Sequence, residues 1–191
     1  MIDQKYFQSL KKQYNNTTVA RRKLISLSGE AQHLAKRAIF ALQRDQLKEA
    51  QQLISQARSL VQAGTKLCHQ TDELEFQGSY RAAQEELVEA TLFYNFLSTG
   101  KVGSITGFKV PLEVYLAGLT DLVGELSRLA VTRATVGDQR QVKKIAETAT
   151  TIVSELVEMN LVGYLRTKAD QARGALRRLQ DILYDLSLKV K

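Results

Sequence analysis

Residues 111–133 read PLEVYLAGLTDLVGELSRLAVTR. Leu112, Tyr115, Leu116, Leu119, Leu122, Val123, Leu126 and Leu129 recur at intervals of three and four, the period of an α-helix with one apolar face. Pro111 stands where the first turn of a helix tolerates proline, because the opening N–H groups have no intrahelical partner. Asp121 and Glu125 are set into this apolar run at i, i+4, so both project from one face. Ala117, Gly118 and Gly124 are expected to clear space beside them.

The same period extends in both directions. Ile2, Tyr6, Leu10 and Tyr14, then Leu34, Ala38 and Leu42, indicate one long helix or two joined ones, with Asn15-Asn16-Thr17-Thr18 as the candidate irregularity. Asp45 is the expected N-cap of a second helix with Leu47, Ala50, Leu53, Ile54, Ala57, Leu60 and Val61 on its face, and Gly64 is its expected end. A polar stretch through Gln77-Gly78-Ser79 leads to a third helix from about Ser79 to Leu97. The loop from Ser98 to Val110 holds Gly100, Gly103 and Gly107. Beyond the stretch quoted first, Asp138 can cap a fifth helix carrying Val142, Ile145, Ala149, Ile152 and Leu156. A turn near Asn160 to Gly163 precedes a last helix striped by Leu176, Leu179, Leu183 and Leu186. One proline in 191 residues, with glycines few and clustered, leaves little material for the turns of a sandwich or doubly wound fold. The expected fold is all-α: a single domain, residues 1–191, forming an antiparallel bundle of about six to seven helices.

Composition narrows the function. One cysteine excludes an internal disulfide and any multi-cysteine zinc site. Asp3, Lys5 and Gln8 fall where a signal peptide needs an apolar run, and no stretch approaches the ~18 apolar residues of a membrane span. A soluble, cytoplasmic protein without membrane contact is the expectation. The net charge of +7 is unevenly distributed: residues 1–72 carry +7, residues 73–130 carry −4 and residues 131–191 carry +4. An acidic middle between basic flanks could hold cations within a surface that attracts polyanions.

Gly100-Lys101 is no phosphate loop, since Asn95 stands where that motif needs glycine and no strand precedes it. His33 and His69 have no second histidine at ligand spacing, and Cys68 has none at catalytic spacing. The acidic residues stand apart from these. Glu86 and Glu89, at i, i+3 on the third helix, lie among Val88, Leu92, Phe93 and Phe96. Carboxylates beside apolar surface are costly unless they are paired or bind a cation. Four oxygen donors on two facing helices suit one or two Mg²⁺ or Mn²⁺ ions. The competing reading is exposed glutamates with Arg or Lys partners, Arg81 and Arg128 being available.

Tyr115-Leu116-Ala117-Gly118, Asp121-Leu122-Val123-Gly124-Glu125-Leu126-Ser127-Arg128-Leu129 and Val136-Gly137-Asp138 together resemble the translin and Trax (translin-associated factor X) family. Glu86-Leu87-Val88-Glu89-Ala90, followed by Phe93 and Phe96, is similar to the third-helix motif of Trax, and Tyr184-Asp185-Leu186-Ser187 resembles the family's last helix. The similarity runs from about Tyr80 to Lys189. Glu125 to Leu129 is worded more like translin, whereas Asp121, Gly124 and both third-helix glutamates follow Trax. Two departures, Val114 in place of a frequent Asp and Pro111 one residue further from Tyr115 than usual, touch the start of the helix.

The resemblance implies a helical bundle of seven helices that assembles, typically as an octamer, into a hollow shell binding single-stranded RNA or DNA. For the Trax type it implies a Mg²⁺-dependent (or Mn²⁺-dependent) endoribonuclease whose metal-binding and catalytic residues are here Glu86, Glu89, Asp121 and Glu125. Arg81 falls where translin has part of a basic nucleic-acid-binding segment, and Arg21, Arg22 and Lys23 are further candidates for phosphate contacts. Such a chain would form a homo-oligomer without a separate translin partner. Two alternatives stand: a non-catalytic translin-like protein that grips single strands, and a helical scaffold for protein partners, for which no repeat period speaks.

Overall fold

The computed structural model describes residues 2–70, 74 and 77–188. Among these residues the chain forms six helices: α1 (Gln4–Gln43), α2 (Leu47–Gln70), α3 (Gly78–Thr99), α4 (Leu112–Thr135), α5 (Gln139–Glu158) and α6 (Gly163–Leu188). The all-α expectation holds, with α4 carrying the apolar run that holds Asp121 and Glu125. Short connections at 44–46, 136–138 and 159–162 reverse the chain, with positive φ at Asp45, Gly137 and Asn160. Reversals this short place consecutive helices side by side and antiparallel. Helix α1 packs on α2 and α3, while α4 packs on α5 and α6. The two halves meet chiefly where α3 lies against α4, which puts the acidic residues of both helices at the seam.

Local chemistry accounts for most boundaries. Asp138 caps α5 as expected, its carboxylate accepting the Gln141 N–H at 3.0 Å. Pro111 is the N-cap of α4, one residue before the first turn proper. Gly100, at φ 74, closes α3 in the left-handed conformation and donates its N–H to Phe96 O at 2.8 Å. The glycine-bearing loop is pinned to the body by Gln62 donating to Gly107 O and Tyr115 donating to Gly103 O, both at 2.9 Å. Cys68 packs into the core.

Three boundary expectations are corrected. Asp45 does not cap α2, which opens at Leu47; it sits in the turn at φ 60, and its carboxylate pairs with Arg133 in the last turn of α4. Asn15 to Thr18 cause no irregularity, because α1 runs through them as one helix. Gly64 does not end α2. A Cβ there would come within 2.7 Å of the Tyr80 ring and 3.1 Å of Leu24 Cδ1, so the glycine lets three helices close on one another. Part of the polar stretch expected after it, residues 71–73, 75 and 76, lies outside the described residues.

Tyr80 cannot easily yield to a larger residue at position 64. Its hydroxyl donates to Val61 O at 3.1 Å and shares a 2.7 Å hydrogen bond with Thr65 Oγ1. Gly64→Ala should therefore destabilise the protein by about 1–2 kcal/mol, overpacking outweighing alanine's better helix propensity. Urea denaturation followed by circular dichroism checks the sign.

The buried face of α1 begins only at Leu24 and continues through Ser28, Ala31, Ala35, Ala38 and Leu42. The preceding stripe of Ile2, Tyr6, Leu10 and Tyr14 has helical spacing but is exposed. The first half of a helix about 60 Å long thus projects with no fully buried side chain, although Ala20, partly buried, packs against the core.

Candidate metal centre

The carboxylates cluster because α3 and α4 approach closely where both have residues to spare. Gly118 is the contact point: a Cβ on it would meet Val88 Cγ1 at 2.6 Å and the Glu85 carbonyl oxygen at 2.8 Å. The sequence suggested that Gly118 leaves open space beside Asp121, but Val88 and the α3 backbone fill it. Gly124 does face open space, with nothing within 4 Å of the corresponding position.

Glu89 is the innermost of the four. It is 7% exposed, and no hydrogen bond or ion pair reaches its carboxylate among the described residues. Burial raises its pKa well above the usual carboxylate range, and the charges of Asp121, Glu86 and Glu125 push it further, with Lys168 partly opposing. Glu86 shares the direction for the same first reason: burial, with Asp121 and Glu125 adding to it, against Lys36 at 3.9 Å and a hydrogen bond from Gln32. Burial also raises Asp121, although its ion pair with Lys168 of α6 works the other way. Glu125 accepts from Gln43 Nε2 at 2.8 Å, which also donates to the Glu125 carbonyl at 3.0 Å, and Arg128 lies 3.4 Å away.

The mutual influence of these groups places Glu86, Glu89, Asp121 and Glu125 in one electrostatic neighbourhood. No three His, Cys, Asp or Glu side chains form a ready-made ligand cage among the described residues. The donor set itself suits a hard divalent cation: all oxygen, with one buried carboxylate lacking any contact partner. The residues match Mg²⁺ or Mn²⁺ in donor type, while Lys36, Lys168 and Arg128 already stand beside Glu86, Asp121 and Glu125.

Sequence reasoning missed three members of this neighbourhood. Glu85 accepts Arg81 Nε at 2.9 Å on one oxygen, and on the other the Tyr164 hydroxyl at 2.7 Å, with Lys168 at 3.5 Å. The i, i+4 spacing of Arg81, Glu85 and Glu89 was a usable signal for the first. Nothing in the sequence linked Tyr164 and Lys168 to the third helix.

The four predicted nucleic-acid contacts lie on α1 and α3, beside Leu24 and Tyr80, which both meet Gly64. Arg81 is committed to Glu85 and to Glu113 at 3.1 Å, and its guanidinium lies 5.1 Å from the centre of the Tyr164 ring. Arg22 and Lys23 are exposed and Arg21 half-buried, all on the projecting half of α1. At the helical rise, Lys23 is about 13 Å along α1 from Gln32, the nearest α1 residue bonded to the cluster.

A model of the Translin family matches residues 9–190. Translin from Gallus gallus and from Homo sapiens are each 32% identical over 84 residues, which is 44% of this chain and 37% of the relative. The matched segment thus spans little more than a third of the length of those relatives. Among solved structures, AfC3PO is 27% identical with a TM-score of 0.88, over 96% of this chain and 98% of that one. The AfC3PO–duplex RNA complex is 25% identical with a TM-score of 0.88, over 96% and 97%. Apo-NeC3PO shares the fold at 20% identity and a TM-score of 0.87, over 97% and 98%.

Proposed function

Because the chain belongs to the Translin family, we propose that it is a metal-dependent endoribonuclease of the Trax type, acting on single-stranded RNA. The observation that carries this reading is Glu89, a buried carboxylate without a contact partner at the meeting point of three others. A buried carboxylate flanked by other carboxylates is a candidate cation ligand. A structural neighbour solved with duplex RNA supports RNA as the ligand class.

In this proposal Glu86, Glu89, Asp121 and Glu125 hold Mg²⁺ or Mn²⁺. The bound ion supplies Lewis acidity toward the phosphate and lowers the pKa of water. The chain's own residues do the rest. Among the described residues no serine, cysteine or histidine hydrogen-bonds to any of the four carboxylates, and water is the proposed nucleophile. Water's oxygen forms the new bond to phosphorus as the bond to the departing ribose oxygen breaks. One of the four carboxylates acts on that water instead of on the metal and takes its proton. Gln43 fixes Glu125 in place. Arg81, Arg21, Arg22 and Lys23 are the proposed phosphate contacts, Arg81 exchanging Glu113 for phosphate. Single-stranded DNA would bind through the same backbone contacts.

The exposed stripe of Ile2, Tyr6, Leu10 and Tyr14 supports a homo-oligomer, proposed as an octamer, in which copies of the chain cover it. Native mass measurement reads the number directly. No described helix is long and apolar enough to cross a membrane, and a cytoplasmic location is part of the proposal.

Labelled single-stranded RNA and a duplex of the same sequence, incubated with the full chain and Mg²⁺ or Mn²⁺, test the activity. Cleavage of the single strand that stops on adding EDTA is expected, and Asp121→Ala should remove it while RNA binding persists. Binding without cleavage under either metal would sink the nuclease reading. It would leave the alternative, a non-catalytic translin-like binder, which the ammonium of Lys168 already sitting on Asp121 favours.

A further inference from the structure

Lys168 lies outside every motif the sequence singled out, and its side chain is only 14% exposed. Its ammonium pairs with Asp121, stands 3.5 Å from Glu85 Oε2 and lies 5.4 Å from the centre of the Tyr164 ring. Tyr164, one turn earlier on α6, donates to the same Glu85 oxygen, while Arg81 occupies the other. Glu85 is thus satisfied on both oxygens. Asp121 depends on Lys168 alone, since no other hydrogen bond or ion pair to its carboxylate exists among the described residues.

We propose that Lys168 is a built-in competitor of the divalent cation: in the metal-free protein its ammonium holds the Asp121 carboxylate, and an incoming ion must displace it from that oxygen. The inference rests on the metal reading above and adds a positioning residue from α6. An ammonium is a compact point charge on a long, flexible stem, so it can neutralise Asp121 and still swing aside. It cannot draw several oxygens around itself as a divalent ion does. That difference is visible in Glu89, which feels the charge of Lys168 without touching it. A divalent ion would serve Glu89 and Asp121 together, but only after releasing the lysine. Glu85 and the Tyr164 ring then form a second resting place, because Lys168 already lies against both.

Titration of Mn²⁺ into the full chain, followed by calorimetry, reads the competition without RNA. Lys168→Met is expected to bind Mn²⁺ at least about tenfold more tightly than the parent, because one positive charge within a few ångströms is gone. Lys168→Arg keeps the charge and should bind no more tightly than the parent. Lys168→Gln, neutral but able to hydrogen-bond both carboxylates, carries the same expectation as the methionine variant and decides the matter if that variant does not fold. Unchanged or weaker Mn²⁺ binding in the neutral variants overturns the proposal. Absence of Mn²⁺ binding in every version overturns it together with the metal reading. Tighter binding in variants that, like the parent, never cut RNA would uphold the competition and remove the ribonuclease reading alone.

Discussion

Glu89→Gln should lower metal-dependent RNA cleavage by roughly a hundredfold or more and, in the absence of metal, make the protein more stable. Both effects come from one cause. Glu89 is buried among like charges with no hydrogen bond or ion pair among the described residues, and burial and then its acidic neighbours raise its pKa, against the charge of Lys168. Glutamine keeps the shape and removes the charge. The cation loses a ligand, while the fold loses a source of repulsion.

The pH dependence follows in sign. A carboxylate whose folded pKa lies above its unfolded value contributes stability that is fully present below the unfolded value, about 4.3 for glutamate. That contribution is lost as pH rises through the raised folded pKa. Metal-free wild type should therefore weaken as pH rises from the ordinary carboxylate range toward neutrality. Glu86 and Asp121, shifted in the same direction, add to the slope. Glu89→Gln should flatten it, as thermal melts in EDTA at several pH values will read. Added Mn²⁺ should raise the melting temperature of wild type more than that of the variant, since a ligand that binds only the folded state stabilises it. A variant that melts earlier than wild type at neutral pH would show that Glu89 is satisfied by something other than a cation.

Gly118→Val should be the most damaging single substitution at the α3–α4 seam. Even an alanine Cβ would stand 2.6 and 2.8 Å from Val88 side-chain carbons and 2.8 Å from the Glu85 carbonyl oxygen, and that oxygen belongs to a helix backbone that cannot step aside. Alanine gains about 1 kcal/mol of helix propensity over glycine, yet overpacking of this kind costs about 1–3 kcal/mol, occasionally more. Valine adds two methyl groups and should exceed 3 kcal/mol, a drop of about 2–4 °C in melting temperature for each kcal/mol at this chain length. The displacement would also part Glu86 and Glu89 from Asp121 and Glu125, so Mn²⁺ affinity should fall with stability. Gly124→Ala on the same helix is the control: nothing lies within 4 Å of its Cβ position, and the propensity gain should appear as a modest stabilisation. Equal effects at both positions would show that the seam is not closed by Gly118.

That contrast marks what the sequence could convey. Apolar periodicity located all six helices, because a 3.6-residue repeat is a property of single segments. The spacing of Glu86 with Glu89 and of Asp121 with Glu125 fixed each pair to one helix face for the same reason. Glycines were harder. Gly64 and Gly118 looked like a terminator and a clearance, but both are points where a neighbouring helix comes too close for a Cβ, and the neighbour lies elsewhere in the sequence. Asp45 looked like a cap, but its partner is Arg133, 88 residues away. Lys168 was invisible on the same grounds: its charge matters only because α6 returns it to Asp121.

The projecting half of α1 divides the molecule's stability unevenly. With no side chain fully buried before Leu24, that segment takes its helicity from continuation of a helix nucleated by the packed half, since nucleation is the costly step and extension is nearly free. Its opening is then decoupled from global unfolding, and global denaturation measures the body beyond it. Ordering it permanently requires covering its stripe, so the conformational entropy of those residues is borne by association rather than by folding. Arg21, Arg22 and Lys23 sit at this boundary, where the chain passes from a self-supported helix to one held by its core.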